Sequence, residues 1–175
     1  SEDSYILDDL GDETLLKRVL DGDEFNSAKV ELYKRVISEL PKFQINGCKG
    51  IDYSFCYQYK EFGSENVDYD LDYFKQRFLK NFHKGEIDTE LLDKDLAYLK
   101  EKILEFPREY FLYRDFQSRN IMIKNDEPFF IDFQSGRKGA LLYDIASLLY
   151  DAKADIPQQI REDLLEYYLE ELKQY

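Results

Sequence analysis

Two short motifs near the middle of the chain constrain it more than any other feature. The first is Tyr113-Arg-Asp-Phe-Gln-Ser-Arg-Asn120 and the second is Ile131-Asp-Phe-Gln-Ser135. They supply the side chains of a phosphoryl-transfer site: one carboxylate to orient and deprotonate a hydroxyl, and an amide and a second carboxylate to hold a metal beside the nucleotide phosphates. Asp115, Asn120 and Asp132 fit these roles, and their hard oxygens favour Mg²⁺.

The segment that joins the two motifs is typical of a β-hairpin. Two strand-like runs flank a turn signal: Ile121-Met-Ile-Lys124, Asn125-Asp126 and Pro128-Phe-Phe-Ile-Asp132. Because paired strands lie about 5 Å apart, a tight hairpin brings Asn120 near Asp132. An Asp and an Asn at this spacing are common in caps and turns, so the prediction depends on the joint pattern of loop, hairpin and second Asp.

Composition limits the class of protein. With 175 residues and 43% hydrophobic residues the chain can form one domain with a sizeable core. It has two cysteines and one histidine, too few for a disulfide framework or a zinc cluster, which favours a reduced cytoplasmic setting. We expect no signal peptide and no membrane span. The net charge of −13 argues against nucleic acid or an anionic membrane as a partner. The cations nearest the motifs are Arg114, Arg119, Arg137 and Lys138.

The remaining sequence predicts mostly helices with apolar faces that pack into the core. The helical segments are Thr14–Leu20, a helix capped by Asn26 or Ser27 and followed by Pro41, Asp70–Phe82, a helix capped by Asp88 or Thr89, Ala140–Ala152, and a last helix opened by Pro157. Short strands are expected at Tyr5–Leu7 and around Tyr53–Tyr59. In the third helix the apolar face consists of Leu71, Phe74, Phe78 and Phe82.

Taken together, the chain resembles the aminoglycoside phosphotransferase family of kinase-like phosphotransferases. The resemblance is most specific to its anomeric kinases of N-acetylmuramate and N-acetylglucosamine, whose motifs match at Arg114–Asn120, Ile131–Gln134 and Tyr143–Asp151. It implies an α+β, mostly α fold: a protein-kinase-like C-terminal lobe with a short β-hairpin that carries the metal loop. Residues 1–12 then correspond to a remnant of the interlobe hinge and residues 13–175 to the lobe.

The resemblance also implies a role for each matching residue. Asp115 is the catalytic base, Asn120 and Asp132 are ligands of Mg²⁺, and Asp144 braces the catalytic loop, which here is residues 113–120. The expected contacts with ATP are made by backbone groups of Asp8, Asp9 and Leu10 and by the side chains of Met122 and Ile131. Met122 and Ile131 can equally be hairpin core residues. Arg114 and Arg119 are candidates for contacts with the acceptor or with phosphate.

Two features of the sequence depart from the family pattern. Tyr113 stands where the family usually has His. No Gly-rich phosphate loop and no strand Lys precede Tyr5, although a kinase needs that cation on its nucleotide. We therefore expect the isolated chain to be inactive and to require an N-terminal lobe as its partner.

Three hypotheses for function remain open. The first is ATP-dependent phosphorylation of a sugar or amino sugar hydroxyl, which the motif match favours. The second is a degenerate kinase lobe that only binds or regulates. The third is a kinase for a cationic acceptor such as an aminoglycoside, which the acid-rich stretch Glu61–Asp72 would suit.

Overall fold

Helices dominate the computed structural model, which describes residues 6–22 and 24–175. The α-helices are α1 (Leu15–Leu20), α2 (Ser27–Pro41), α3 (Ser64–Tyr73), α4 (Lys80–Phe82), α5 (Thr89–Glu105), α6 (Leu142–Leu149) and α7 (Gln158–Leu172). Two antiparallel strand pairs complete the regular structure: β1 (Tyr110–Leu112) with β4 (Arg137–Gly139), and β2 (Ile121–Lys124) with β3 (Glu127–Phe130). The expected α+β, mostly helical class is confirmed. None of the described helices is long and apolar enough to cross a bilayer.

Side-chain caps determine where three of the helices begin. Thr14 caps α1 by accepting a hydrogen bond from the Lys17 N–H at 3.2 Å. Asn26 caps α2 and Asp88 caps α5 in the same way, at 3.1 and 3.0 Å. Because such a cap satisfies an amide that has no partner within the helix, Asn and Asp before an apolar periodic run predict the start of a helix well.

The main core forms where α2, α6 and α7 pack against the catalytic loop and the inner face of the β2–β3 hairpin. Its most deeply buried residues include Leu15 of α1, Tyr33, Val36, Ile37 and Leu40 of α2, Ile145, Leu148 and Leu149 of α6, Leu164 and Tyr168 of α7, and Phe116, Ile121 and Ile123 around the loop. The apolar faces predicted for these three helices are therefore core faces. Phe116 anchors the catalytic loop directly in this core.

In the helix predicted over Asp70–Phe82, the prediction of a core face was wrong for Phe74, Phe78 and Phe82. Leu71, the fourth residue of that face, is half-buried and packs against a second core cluster, Phe62, Val67 and Leu112. This helix begins earlier than expected, at Ser64, and continues through a π-helical segment at Phe74–Leu79 into α4. The three Phe side chains are 39%, 54% and 70% exposed and stack on one another with ring centroids 5.5 and 5.6 Å apart. The helix packs against α5, which has no buried residue, at the edge of the fold. A periodic apolar stripe does not by itself reveal whether another element covers it.

The predicted strand at Tyr53–Tyr59 is also absent from the structure. Asp52 accepts a hydrogen bond from the Ser54 N–H at 2.9 Å and starts a 3₁₀ turn at Tyr53–Phe55. Gln58 has a φ of +63°, which breaks the extended conformation that a strand requires. Backbone pairing with the sheet begins beyond this point, where Glu61 bridges to Lys138.

Two further boundaries differ from the sequence expectations. Pro41 is the last residue of α2 and does not follow it, and the chain continues directly into a π-helical segment at Lys42–Asn46. In the expected strand Tyr5–Leu7, Tyr5 lies outside the described residues. Ile6 and Leu7 are exposed and belong to no strand, since no strand in the described part of the chain pairs with them.

Candidate active site

The catalytic loop, residues 113–120, is held at both ends by carboxylates from the α6 region. Near its start, Asp144 accepts hydrogen bonds from the backbone N–H groups of Tyr113 and Arg114, both at 2.9 Å. Near its end, Asp151 accepts hydrogen bonds from the Ser118 N–H at 3.3 Å and from the Ser118 hydroxyl. Rigid support of this kind positions a reactive side chain. The sequence suggested a role for Asp144 but none for Asp151, although Asp151 closes the Tyr143–Asp151 motif.

A buried polar network supports Asp144 from behind. Gln44, in the π-helical segment, donates from Nε2 to Asp144 at 3.4 Å and to the Leu141 carbonyl at 2.8 Å. The Tyr168 hydroxyl donates to Gln44 Oε1 at 2.7 Å. Burial raises the pKa of Asp144 to about 7, and the hydrogen bonds from Tyr113 and Arg114 oppose that rise. Sequence reasoning missed Gln44 and Tyr168, because both are far from Asp144 in the chain.

Within the loop, backbone contacts leave the Asp115 carboxylate available. The carbonyl of Asp115 accepts hydrogen bonds from Asn120 Nδ2 and from the Gln117 N–H, both at 2.9 Å. Its half-buried carboxylate receives no hydrogen bond from any residue that the structure describes. Arg114, just before it, has a φ of +74°, a conformation that non-glycine residues adopt at a cost and that often marks functional sites. The geometry therefore suits a base that accepts a proton from a bound hydroxyl.

The β2–β3 hairpin brings Asp132 back to Asn120, the last residue of the catalytic loop. Its strands pair from Ile121↔Phe130 to Lys124↔Glu127, and the turn residues Asn125 and Asp126 have φ of +55° and +62°, as a type I′ turn requires. The Ile131 N–H donates to the Asn120 carbonyl at 3.1 Å, so the next residue, Asp132, lies beside Asn120. The predicted hairpin is thus present between these two residues.

The oxygens of Asn120 and Asp132 fit a Mg²⁺ ion that is shared with phosphates. Asn120 uses its Nδ2 for the bond to Asp115, and its side-chain oxygen accepts no hydrogen bond from a residue that the structure describes. Asp132 is exposed, adopts a φ of +71° and accepts one hydrogen bond, from Gln134 at 3.1 Å. No group of three or more His, Cys, Asp or Glu side chains among the described residues forms a metal cage. Mg²⁺ commonly binds with one or two protein oxygens and completes its shell with water and phosphate.

Met122 and Ile131, whose side chains are expected to contact ATP, lie on the outer face of the hairpin. Met122 pairs with Phe129 across the hairpin, and alternation along the strand directs Ile131 to the same face as Phe129. Met122 is buried but does not belong to the main core cluster, and its backbone bridges to Thr14. Ile131 is 37% exposed. This face is therefore apolar and partly open.

The segment Asp8–Leu10 runs beside the end of β2. The Asp9 carbonyl accepts a hydrogen bond from Lys124 Nζ at 2.8 Å, and the Asp9 carboxylate accepts one from the Gly11 N–H at 2.8 Å. Asp8 and Asp9 are exposed and Leu10 is half-buried. The chain thus brings this segment to the same edge of the fold as the outer face of the hairpin.

The two candidate arginines and Tyr113 differ in their surroundings. Arg119 is exposed and forms no ion pair with a described residue. Arg114 Nη2 lies 3.4 Å from the carboxylate of Asp70, a residue of α3, and burial raises the pKa of Asp70. Tyr113, at the family's His position, donates its hydroxyl to the Ile131 carbonyl at 2.7 Å and so ties the catalytic loop to the residue before Asp132. The sequence did not indicate the contact with Asp70.

The sequence and the fold are similar to those of two known kinases. The chain is 27% identical, over 171 residues, to the N-acetylmuramate/N-acetylglucosamine kinase of Neisseria meningitidis serogroup B, covering 96% of the chain and 48% of that protein. Its fold is similar to that of choline kinase from Cryptosporidium parvum Iowa II, with a TM-score of 0.56 and 16% identity, over 97% of the chain and 54% of that structure. The chain thus spans about half the length of both proteins.

The family profile gives the assignment directly. The profile of the phosphotransferase enzyme family, the aminoglycoside phosphotransferase family, matches residues 62–175, which include the catalytic loop, the hairpin and α6. The resemblance read from the motifs at Arg114–Asp151 is therefore confirmed, and the chain belongs to the phosphotransferase enzyme family.

Proposed function

We propose that this chain is the C-terminal catalytic lobe of an ATP-dependent kinase that phosphorylates a hydroxyl of a sugar or amino sugar. The observation that carries the proposal is the position of Asp115, Asn120 and Asp132 around one braced loop. In this proposal residues 1–12 form the hinge and residues 13–175 form the lobe. The amino-sugar kinase relative supports the acceptor class, because it is 27% identical to this chain over 171 residues, a range that spans the loop and the hairpin.

Each residue of the site has a defined task in the proposed reaction. The acceptor hydroxyl attacks the γ-phosphorus of ATP, the new O–P bond forms as the bond to the β-phosphate oxygen breaks, and Asp115 takes the hydroxyl proton. Asn120 and Asp132 would hold Mg²⁺, which neutralises phosphate charge when it is bound. Asp144 and Asp151 keep the loop in place, so that the hydroxyl meets the phosphate in line.

The apolar surfaces beside the site support a nucleotide-binding lobe as partner. The outer hairpin face with Met122 and Ile131 offers a floor for adenine. A second region, a cavity of about 800 Å³, lies next to Phe133 and has a largely aromatic wall with Phe43, Phe111 and Phe129. Phe133 is 63% exposed. Exposed aromatic surface of this kind marks an interface, and a preceding lobe would cover it while it supplies the missing phosphate-binding cation.

The acid-rich stretch Glu61–Asp72 gives less support to a cationic acceptor than its composition suggests. Three of its carboxylates already pair with cations of this chain. The pairs are Glu61 with Arg108 at 2.7 Å, Asp68 with Lys100 at 2.6 Å and Asp70 with Arg114 at 3.4 Å. These pairs reduce the negative field that would attract a polyamine. A degenerate binding module is disfavoured, because such a module would not need an Asp115 carboxylate without a hydrogen bond to any described residue, on the same loop as Asn120.

An acceptor panel tests the proposal. The complete protein is incubated with MgATP and one of four acceptors, N-acetylglucosamine, N-acetylmuramate, choline or kanamycin, and ADP formation is followed. We expect turnover with at least one of the two sugars. Turnover with kanamycin and neither sugar would contradict the acceptor class. No turnover with any acceptor, together with no binding of MgATP, would favour the binding-module hypothesis.

A further inference from the structure

A buried arginine beside the catalytic loop lacks the partner that its charge requires. Arg137 begins β4 and is only 2% exposed. It makes one hydrogen bond to a described residue, from Nε to the Ser135 carbonyl at 3.0 Å. Its guanidinium carbon lies over the Tyr59 ring, 5.7 Å from the ring centroid. No carboxylate in residues 6–22 or 24–175 lies within 4.0 Å of it. Arginine is almost never this deeply buried without an anionic partner.

Arg114 adds a second under-satisfied guanidinium next to it. Its Nε is buried and has no hydrogen-bond partner among the described residues, and its contact with Asp70 is long at 3.4 Å. Burial, and then the positive charge of Arg114, lower the pKa of Arg137. Two cations that repel each other in a poorly hydrated place are stabilised by an anion between them. Asp70 is one carboxylate for two guanidinium groups: it forms an ion pair with Arg114 and acts on Arg137 only from beyond ion-pair distance.

We propose that Arg137, together with Arg114, determines specificity by binding an anionic substituent of the acceptor, such as the carboxylate of a sugar acid. The inference rests on the proposed kinase function and narrows its acceptor class. The Asp115 carboxylate is close enough to Arg137 for its charge to act on the pKa of Arg137, so an anion held by these arginines would lie near the reacting hydroxyl. Guanidinium groups suit this task because they bind carboxylates through two parallel hydrogen bonds.

A matched pair of acceptors and a matched pair of variants test the assignment. N-acetylmuramate is N-acetylglucosamine with an added lactyl carboxylate. In the complete protein, Arg137→Gln should lower kcat/KM for N-acetylmuramate about 10- to 100-fold more than for N-acetylglucosamine, the range expected from losing a hydrogen bond to a charged group. Arg137→Lys should recover part of that difference. Lys138→Gln removes the same charge from the exposed face of the same strand, where Lys138 lies over Tyr53, and should leave the preference unchanged.

Three results would overturn the inference. The first is an equal fall in kcat/KM for both sugars in Arg137→Gln. The second is that Lys138→Gln changes the preference between the two sugars as much as Arg137→Gln does. The third is a rise in the KM for ATP in Arg137→Gln that does not depend on the sugar, which would mean that Arg137 binds the nucleotide. Thermal melting reports whether Arg137→Gln folds. If Arg137→Gln does not fold, the same comparison of the two sugars is made with Arg137→Lys.

A binding measurement separates this inference from the proposed function. Lactate carries the carboxylate of muramate without the sugar ring. If the wild-type protein phosphorylates neither sugar, the acceptor class is wrong, but lactate should still raise the melting temperature of the wild type and of Lys138→Gln. Lactate should raise the melting temperature of Arg137→Lys by less than that of the wild type, and it should leave the melting temperature of Arg137→Gln unchanged. Equal shifts in all four proteins, or no shift in the wild type, would refute the anion site.

Discussion

Replacing Asp144 by Ala tests how much the brace at the start of the catalytic loop contributes. The substitution removes the acceptor of two backbone hydrogen bonds, from Tyr113 and Arg114, each 2.9 Å long. Tyr113 is 3% exposed, so water does not readily replace the lost acceptor. Each buried unsatisfied N–H costs about 1–3 kcal/mol. Removing a buried carboxylate recovers part of that cost, so we expect a net loss of about 2–4 kcal/mol in the free energy of unfolding.

Urea unfolding of this chain, followed by circular dichroism, measures that loss. Asp163→Ala is the matched control, because Asp163 is exposed on α7 and its side chain bonds, within the described part of the chain, only to Gln159 one turn away. It should change the free energy of unfolding by less than about 0.5 kcal/mol. In the complete protein Asp144→Ala should also lower kcat by about 100-fold, since the loop loses its fixed position. If Asp144→Ala were as mild as Asp163→Ala in both assays, the bracing role would be refuted.

Other predictions concern pH, the aromatic stripe and the isolated chain. Burial raises the pKa of Asp144 to about 7, above the value near 3.9 of an unfolded Asp, so the folded state binds the extra proton. The stability contributed by Asp144 should therefore fall by up to about 4 kcal/mol as pH rises from about 4 to 7, and pH-dependent urea unfolding should show this fall in the wild type but not in Asp144→Asn. Phe78→Ala should lower the free energy of unfolding by less than about 1 kcal/mol, because Phe78 is 54% exposed. Phe116→Ala should lower it by about 3–5 kcal/mol in the same assay, because Phe116 is buried in the main core. Equal losses for the two variants would contradict the assignment of the core. This chain alone should fold cooperatively but should show no kinase turnover and at best weak MgATP binding by calorimetry, and sub-millimolar affinity with turnover would contradict the need for a second lobe.

The parts of the fold that sequence predicted well depend on local chemistry. The hairpin between Asn120 and Asp132 follows from two short β-prone runs and from turn residues that tolerate a positive φ. The starts of α2 and α5 follow from caps at Asn26 and Asp88. In each case the decisive contact joins residues a few positions apart, so the sequence contains the whole cause.

The parts that sequence did not predict depend on contacts between distant segments. Tyr168 lies 124 positions after Gln44, and Asp70 lies 44 positions before Arg114, so no local pattern reveals either contact. The same reason explains the exposed Phe78 face. Helical periodicity establishes that one side is apolar, but only the arrangement of the other elements decides whether it is buried.

The role of Asp115 is the centre of this account, and one comparison of turnover tests it most directly. Phosphoryl transfer by the complete protein is measured with MgATP and the better of the two amino sugars, for the wild type and for Asp115→Ala. We predict a fall in kcat of about 100-fold or more, because the variant lacks the group that orients the hydroxyl and accepts its proton. Melting temperatures should remain close, since the Asp115 carboxylate makes no hydrogen bond to a described residue. A folded Asp115→Ala protein with near wild-type kcat would contradict the proposed mechanism.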